Sequence, residues 1–261
     1  MTKDPKGRID FNADIGESFA GYQLGLDSEI IKQITSANIA TGFHAGDPDW
    51  MARTVALATE NNVGIGAHPA YPDLAGFGRR EMNLSPEEVR NAVTYQVGAL
   101  AAFTPDRKLQ HVKPHGALYN TAVHDEATAK AIVSSVQQFD PDLIHVVLAG
   151  SDWEAIARDQ NVKVARECYA DRAVTPEGTL VPRSEPEAVI HDPETVVSRS
   201  LKLATEGKVI AIDGTEIDFI ADSICLHGDT AGAVELAIAI RSELQGAGVE
   251  IAPMSRLIGD G

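Results

Sequence analysis

The sequence lacks any apolar run long enough to cross a membrane, which needs about 20 consecutive, mostly apolar residues. Its N-terminal stretch also lacks the apolar core of about 7–15 residues that marks a secretory signal. Only two of the 261 residues are cysteines, Cys168 and Cys225. An unexported chain of this length needs no disulfide, so both are predicted to be free thiols. These absences predict a soluble, cytoplasmic protein.

Positive charge is scarce. The chain has 22 Lys and Arg against 38 Asp and Glu, which gives a formal net charge of −16 at pH 7. A surface that binds nucleic acid or an anionic membrane needs clustered Lys and Arg. Neither nucleic acid nor a membrane is therefore expected as a partner.

Several catalytic signatures are also missing from the sequence. There is no G-x-G-x-x-G after the first predicted strand, which argues against a dinucleotide-binding fold. There is no Walker A motif, so any nucleotide is held by something other than a P-loop. No Ser lies in a nucleophile elbow and neither Cys has a recognisable activation motif, which argues against a covalent acyl-enzyme.

What the sequence does contain is a regular alternation of short β-branched runs with helical patterns. This alternation, without a Gly/Ser-rich linker, predicts one parallel-stranded α/β domain over residues 1–261. Because the dinucleotide fingerprint is missing, a closed β/α barrel of about seven strands is favoured over an open sheet. The predicted strands cover residues 8–13, 36–43, 63–67, 109–113, 144–149, 162–167 and 223–227.

The helix starts are marked by capping residues. A side-chain oxygen followed by Pro is typical of a helix N-terminus, and Ser followed three places later by Glu is a capping box. Apolar residues at helical spacing between positions 230 and 245 predict the last helix. The predicted caps are Asp47, Ser85, Ser151 and Asp192, with capping boxes at Ser85–Glu88 and Ser151–Glu154.

Two segments interrupt the alternation. Residues 208–223 are predicted to form a β-hairpin around Asp213 and Gly214. Residues 169–191 are rich in Pro and charge and longer than an ordinary loop. We expect this segment to close over a site from a base held by Asp171 and Arg172. The alternative is a loop that docks on a partner subunit or another copy of the chain.

Polar residues follow almost every predicted strand. In a β/α barrel all of these positions lie at the C-terminal face, where active sites of this fold are built. A single His at a strand end is more often structural, but His44, His68, His115 and His227 all fall at this face and within two residues of a Gly. Together they predict a site. The other candidate residues are Asn12, Asp14, Glu17, Lys113, Glu167, Asp171, Arg172 and Asp229.

Alternatives stay open for the carboxylates and the lysine. Asp14 and Glu17, on either side of Gly16, either cap the first helical turn or act as general acid and base. Lys113 is predicted to point into the barrel, where a cation needs a salt bridge or a substrate anion. With Arg172, these groups suit the activation of water against a polarised amide or ester carbon.

A pair of arginines ends the loop after the third strand. Arg79 and Arg80 could bind a carboxylate bidentately. Equally, they could pair with Glu81 and with the acidic helix start at Glu87 and Glu88.

Six ordered blocks of the sequence resemble the LamB/YcsF family, and together they span almost the whole chain. The resemblance implies a barrel similar to the glycoside hydrolase/deacetylase superfamily. The blocks are DFNADIGES (10–18), SANIATGFHAGDP (36–48), IGAHPAYPDLAGFGRR (65–80), VKPHGALYN (112–120), ADRAVTPEGTLVPR (170–183) and SICLHGDT (223–230).

The resemblance also implies an activity. It is the cleavage of 5-oxo-L-proline to L-glutamate with ATP as co-substrate, carried out with two partner subunits, B and C. Asp14, Glu17 or a strand-end His would then be the general base, and Lys113 and Arg172 would offset negative charge on the substrate carboxylate and phosphate. Family members usually carry Cys where this chain has Ala13 and Thr41, and Gly where it has Ala70. The missing thiols argue against an essential Cys nucleophile.

Two other classes of function remain open, and the chain could also form a homo-oligomer. One is a metal-dependent deacetylase-like hydrolase, in which Asp14, His44 and His68 ligate a divalent ion. The other is a protein that only binds a lactam or a carbohydrate.

Overall fold

Seven parallel strands close into a barrel in the computed structural model, which describes residues 7–227 and 232–258. The strands are β1 (Gly7–Ile15), β2 (Ser36–Ala40), β3 (Gly64–His68), β4 (His111–Val112), β5 (Ile144–Leu148), β6 (Val164–Tyr169), β7 (Lys208–Ile210), β8 (Glu216–Asp218), β9 (Ser223–His227) and β10 (Val249–Ile251). The barrel order is β1-β2-β3-β4-β5-β6-β9, and β9 closes it by pairing with both β6 and β1. The predicted seven-stranded barrel is confirmed.

Two smaller pairings lie beside the barrel. β10 pairs in parallel with the first residues of β1, and it is a strand that the sequence pattern did not indicate. β7 and β8 form the predicted antiparallel hairpin, with its turn at Asp213 and Gly214. No helix in residues 7–227 and 232–258 is long and apolar enough to cross a membrane.

The helices begin at the predicted caps. Ser85 and Glu88 form a reciprocal capping box, and the side chains of Asp47 and Asp192 accept from backbone N–H groups of the first turn. The box at Ser151 is only half formed, because Glu154 accepts from the N–H of Gly150 instead. The helices are α1 (Asp27–Ile30), α2 (Pro48–Glu60), α3 (Pro86–Ala101), α4 (Gly116–His124), α5 (Glu126–Phe139), α6 (Asp152–Asp159), α7 (Pro193–Glu206), α8 (Ala233–Gly246) and α9 (Met254–Leu257).

The helix predicted between positions 230 and 245 is α8, which starts at Ala233. It is not the last helix, because the short helix α9 follows it. Residue 230, where the prediction began, lies outside the described residues. The buried face of α8 carries Ala233, Ala237, Ile240 and Leu244, as the helical spacing indicated.

Successive side chains of β1 point alternately into the barrel, which is polar, and outwards to an apolar layer. Phe11, Ala13 and Ile15 belong to the main hydrophobic cluster, which includes residues of the surrounding helices. Asp10 and Asn12 instead hydrogen-bond to side chains on neighbouring strands. The barrel is therefore filled by a buried hydrogen-bonded network, and the next residue of that row is Asp14, at the C-terminal face.

The segment 169–191 is folded back on itself. Backbone hydrogen bonds join Ala173 to Ala188 and to Val181 at its base. The guanidinium of Arg172 donates to the carbonyls of the same two partners, Ala188 (3.1 Å) and Val181 (2.6 Å). The predicted anchoring of this base by Arg172 is confirmed.

Candidate active site

Two histidines meet at the C-terminal face of the barrel. His68 ends β3, and His115 is the N-cap of α4, just after β4. Nε2 of His68 lies 3.0 Å from Nδ1 of His115. The second nitrogen of each ring lies against a backbone carbonyl: 2.6 Å from Lys113 O for His68 and 2.9 Å from Phe77 O for His115. A carbonyl only accepts, so those two nitrogens carry protons, and the two facing nitrogens compete for one further proton or for a cation between them.

Carboxylates flank this pair of nitrogens. Oδ2 of Asp14 is 3.3 Å from Nε2 of His68, and Oε1 of Glu17 is 3.6 Å from Nδ1 of His115. Four acceptor atoms thus surround one small space. Acceptors at these distances repel one another unless a proton or a cation lies between them.

His44 is the third histidine of this cluster. Its ring stacks on His115, with centroids 3.8 Å apart and planes 6° apart, and its Nε2 is 3.1 Å from Oε1 of Glu17. Its Nδ1 is buried without a hydrogen-bond partner. Burial and neighbouring histidines hold the pKa of both His44 and His115 well below the usual value, so these two rings are neutral at pH 7.

The donor atoms of Glu17, His44, His68 and His115 all lie within 4.8 Å of one another. The sequence suggested Asp14, His44 and His68 as metal ligands. The group of donor atoms contains Glu17 and His115 in addition to His44 and His68, and Asp14 is not part of it. Imidazole and carboxylate donors in such a group suit a divalent ion.

Lys113 lies under the cluster and is only 1% exposed. Its Nζ is 3.0 Å from Oδ1 of Asp14, 2.9 Å from Oε1 of Glu167 and 2.9 Å from Sγ of Cys225. Burial opposes its charge, but the attraction of Asp14 and Glu167 outweighs burial and raises the pKa of Lys113 well above its usual value. Of the two alternatives for Lys113, a salt bridge inside the barrel or a contact with a substrate anion, the structure shows the salt bridge.

Asn12 and Glu167 belong to the same buried layer. Both are 0% exposed, and the Asn12 amide donates to Glu167 at 3.1 Å. The residues that line the cavity lie above this layer. Asn12, Lys113 and Glu167, which were predicted to bind substrate, are not among the residues that line the cavity.

The carboxylates do not cap a helix. Asp14 lies within β1, and α1 begins only at Asp27, after the N-cap residue Leu26. Burial would raise the pKa of Asp14, but His68 and Lys113 hold it well below the usual value. Asp14 is therefore an ionised group next to the histidine pair.

A cavity of about 510 Å³ opens over the histidine pair. Its wall carries Arg79, whose guanidinium lies 4.9 Å above the ring of Phe77. Of the two alternatives for Arg80, the structure shows a carboxylate bound by two of its nitrogens, and that carboxylate is Asp73 in the same loop rather than Glu81, Glu87 or Glu88. The other predicted site residues in the wall are Asp14, Glu17, His68, His115, Arg172 and His227.

A second group of side chains lies at the wall formed by β6, β9 and the segment 169–191. His227 ends β9, its ring stacks on Tyr169 at 5.3 Å, and its Nδ1 lies 2.9 Å from Oδ2 of Asp171. Its Nε2 accepts from Nη2 of Arg183 at 2.9 Å. Asp229, also suggested by the sequence, lies outside the described residues.

Sequence reasoning missed Arg183 and Tyr169 as site residues. Arg183 lies within an irregular segment, so no strand end marked it. Its one signal was its place at the end of the block ADRAVTPEGTLVPR. Tyr169 ends β6 and faces the cavity, but an aromatic residue at a strand end is more often part of a core.

Known proteins match this chain in both sequence and fold. Residues 9–259 match the sequence model of the LamB/YcsF family. A protein from Thermococcus onnurineus, named as the A subunit of 5-oxoprolinase, is 53% identical over 253 residues, which are 96% of this chain and 99% of that protein.

Two solved structures resemble this barrel. The crystal structure of the lactam utilization protein from Thermus thermophilus has a TM-score of 0.88 and 48% identity, over 94% of this chain and 99% of that one. The T48 deacetylase, solved with substrate, has a TM-score of 0.52 and 14% identity, over 96% of this chain and 90% of that one. The second likeness concerns the fold alone and agrees with the expected deacetylase-like barrel.

Proposed function

This chain belongs to the LamB/YcsF family, and we propose that it is the A subunit of an ATP-dependent 5-oxoprolinase. Support comes from relatives of that name that align with nearly the full chain. The observation that carries the proposal is the pair of facing ring nitrogens of His68 and His115, 3.0 Å apart, at the floor of a cavity large enough for a small lactam.

The reaction needs two kinds of chemistry. A lactam is an unreactive amide, and transfer of the γ-phosphoryl group of ATP to its carbonyl oxygen makes the ring carbon electrophilic and creates a leaving group. Water then attacks that carbon, the ring C–N bond breaks as its nitrogen takes up a proton, and a γ-glutamyl phosphate is formed. A second water hydrolyses this acyl phosphate, so that the products are L-glutamate, ADP and phosphate. The chain has no Walker A motif, so we place nucleotide binding with the partner subunits B and C, and the attack of water at the cavity of this chain.

The histidine pair supplies the base in this proposal. A neutral His accepts a proton as water attacks, and catalysis of this kind is worth about 10²–10⁴-fold. The proton then lies between Nε2 of His68 and Nδ1 of His115, where it joins two acceptors 3.0 Å apart. Asp14 and Glu17, at 3.3 and 3.6 Å, offset the positive charge that the pair gains.

The buried layer holds this base in place. Asn38 and Lys113 fix one oxygen of Asp14, which leaves the other oxygen directed at His68. The carbonyls of Lys113 and Phe77 fix the tautomers of the two rings. Lys113 thus acts through Asp14 and His68 and is a positioning residue.

A second candidate function is a metal-dependent hydrolase, and the same cluster favours it. Glu17, His44, His68 and His115 would hold a divalent ion, and the neutral rings of His44 and His115 fit such a ligand set. When bound, the ion would polarise a carbonyl oxygen and lower the pKa of water. Metal analysis of protein purified without chelator separates the candidates: one equivalent of tightly held ion, lost in His44→Ala, supports the metal enzyme.

The test of the main proposal is reconstitution with subunits B and C. L-Glutamate should form from 5-oxo-L-proline only when ATP and all three subunits are present. If B and C alone form L-glutamate at the full rate and this chain merely binds the lactam, the chain is a binding protein and the proposal is wrong.

A further inference from the structure

Three arginines line the cavity of a chain that is otherwise strongly acidic. Arg79 and Arg183 are exposed at its rim, and Arg172 is buried in its wall. The formal net charge of the chain is −16, whereas the three arginines outnumber the two carboxylates, Asp14 and Glu17, among the residues that line the cavity. Such a concentration of positive charge marks a place where an anion is attracted and held.

Arg183 is oriented by two other residues. A carboxylate only accepts, so Asp171 fixes the proton of His227 on Nδ1, at 2.9 Å from Oδ2. Nε2 of His227 then carries a lone pair, and it accepts a hydrogen bond from Nη2 of Arg183 at 2.9 Å. Stacking on Tyr169 holds the plane of the imidazole ring. The chain of contacts aims the guanidinium of Arg183 and uses one of its five N–H donors.

The charges of the three arginines act on one another. Burial and the positive charges of Arg183 and Arg79 lower the pKa of Arg172. An anion placed among the three would relieve this repulsion, and a guanidinium binds a carboxylate through two parallel hydrogen bonds.

The N-terminus of α4 points at the same cavity. Gly116 and Ala117, its first two residues, line the wall, and the N-cap residue His115 makes no side-chain capping hydrogen bond. The N–H of Ala117 donates to the carbonyl of Gly78 at 2.8 Å, so this turn contributes its partial positive charge rather than that donor. A helix N-terminus carries partial positive charge and favours an anion. It lies beside the histidine pair, so a bound anion here would place the rest of a small ligand next to the base.

We propose that Arg183, with Arg79, Arg172 and the first turn of α4, forms the subsite for the carboxylate of 5-oxo-L-proline, and that His227 and Asp171 are positioning residues for Arg183. The inference rests on the proposed function, because it takes the lactam as the ligand. We commit to the carboxylate because it is the one anionic group that the lactam carries before any phosphoryl transfer. This assignment moves His227 from the predicted catalytic set to a supporting role.

The first test compares two lactams on wild-type protein and Arg183→Gln. 2-Pyrrolidinone has the same ring as 5-oxo-L-proline but no carboxylate. Loss of a hydrogen bond to a charged group weakens binding by about 10- to 100-fold. Calorimetry on the full chain should show that loss for 5-oxo-L-proline, with affinity for 2-pyrrolidinone unchanged. The matched control is Arg158→Gln, which removes an exposed arginine paired with Glu154 on α6 and should leave both affinities unchanged.

The second test concerns His227 in the complex with subunits B and C. His227→Phe removes the acceptor for Arg183 and should raise KM for 5-oxo-L-proline about tenfold with little change in kcat. His227→Gln keeps an acceptor and a donor and should restore most of the affinity. A fall in kcat at unchanged KM in both variants would make His227 a catalytic residue and overturn its positioning role.

The remaining outcomes distinguish failure of the proposed subsite from failure of the proposed function. If Arg183→Gln leaves the preference for 5-oxo-L-proline over 2-pyrrolidinone intact while the complex turns over normally, the subsite is wrong and the function stands. If Arg183→Gln instead weakens inhibition by inorganic phosphate without changing the affinity for 5-oxo-L-proline, the arginines bind phosphate and the proposal is overturned. If wild-type protein binds neither lactam, both the subsite and the proposed function fall.

Discussion

Nε2 of His68 and Nδ1 of His115 face each other at 3.0 Å while the other nitrogen of each ring lies against a backbone carbonyl. The folded chain therefore holds two ring nitrogens directed at the same small space at the floor of the cavity. Asp14 and Glu17 add negative charge to the same space. The arrangement is built to take up positive charge, and in the proposed reaction that charge is the proton lost by the attacking water.

The variant Asp14→Asn should lower turnover of 5-oxo-L-proline by at least about 100-fold. It keeps the shape of the side chain but removes the negative charge 3.3 Å from His68, so the histidine pair holds a proton less well. Steady-state kinetics of the complex measure the loss, and circular dichroism checks that the fold is kept. Near-normal turnover in a folded variant would show that Asp14 does not support the base.

Lys113→Met should lower the free energy of unfolding by roughly 3–5 kcal/mol, because it leaves the buried carboxylates of Asp14 and Glu167 without their shared cation. Urea unfolding measures the change. Lys130→Met removes an exposed ion pair with Glu126 and should cost less than about 1 kcal/mol. Equal effects of the two substitutions would mean that the interior ion pair is not important for stability.

His145 should make the stability depend on pH. Burial lowers the pKa of this His to about 4 in the folded state, from an ordinary value of 6.5. Below pH 6.5 the unfolded chain therefore takes up a proton that the folded chain does not, and the free energy of unfolding falls as the pH drops from 6.5 towards 4. The full loss is about 3 kcal/mol.

The variant His145→Leu isolates this effect, since other groups also titrate in the same range. The difference in unfolding free energy between wild type and His145→Leu should change by that amount between pH 7 and pH 4, as measured by urea unfolding at each pH. A constant difference across this range would contradict the assignment.

Much of the fold could be predicted because it follows from local rules. The caps at Asp47, Ser85 and Asp192 need only an oxygen and the N–H groups of the next turn. The position of the site followed from topology, since the ends of parallel strands all meet at one face. For that reason His68 and His115 could be assigned to a common site although they are far apart in the sequence.

The rest depends on contacts between segments that no local pattern encodes. Glu17, and not Asp14, lies with the three histidines in the group of potential metal ligands, and Asn38 on the neighbouring strand engages one oxygen of Asp14. Arg183 reaches the cavity only because the segment 169–191 folds back onto its own base. Which ring nitrogen of each His carries the proton depends on carbonyls of residues that are distant in the sequence. The protonation pattern of the site could therefore not be predicted from the sequence.

Replacement of residues 175–180 by a short Gly/Ser linker should lower turnover without weakening the association with subunits B and C. Leu180 lines the cavity, and Val174 pairs with it across the turn, so this turn forms part of the cover. Kinetics and size-exclusion chromatography of the complex give the two readouts. Weakened association with normal turnover at saturating subunits would instead identify a docking loop.

The most direct measurement of the central claim is L-glutamate formation by the complete complex with wild-type chain or with His115→Ala, with ADP measured in parallel. The proposal predicts ATP-dependent glutamate formation by the wild-type complex and at least about a 100-fold lower rate with His115→Ala. It also predicts little ATP hydrolysis by the chain alone. Wild-type rates of glutamate formation by a folded, fully assembled His115→Ala complex would contradict the claim that the histidine pair activates water.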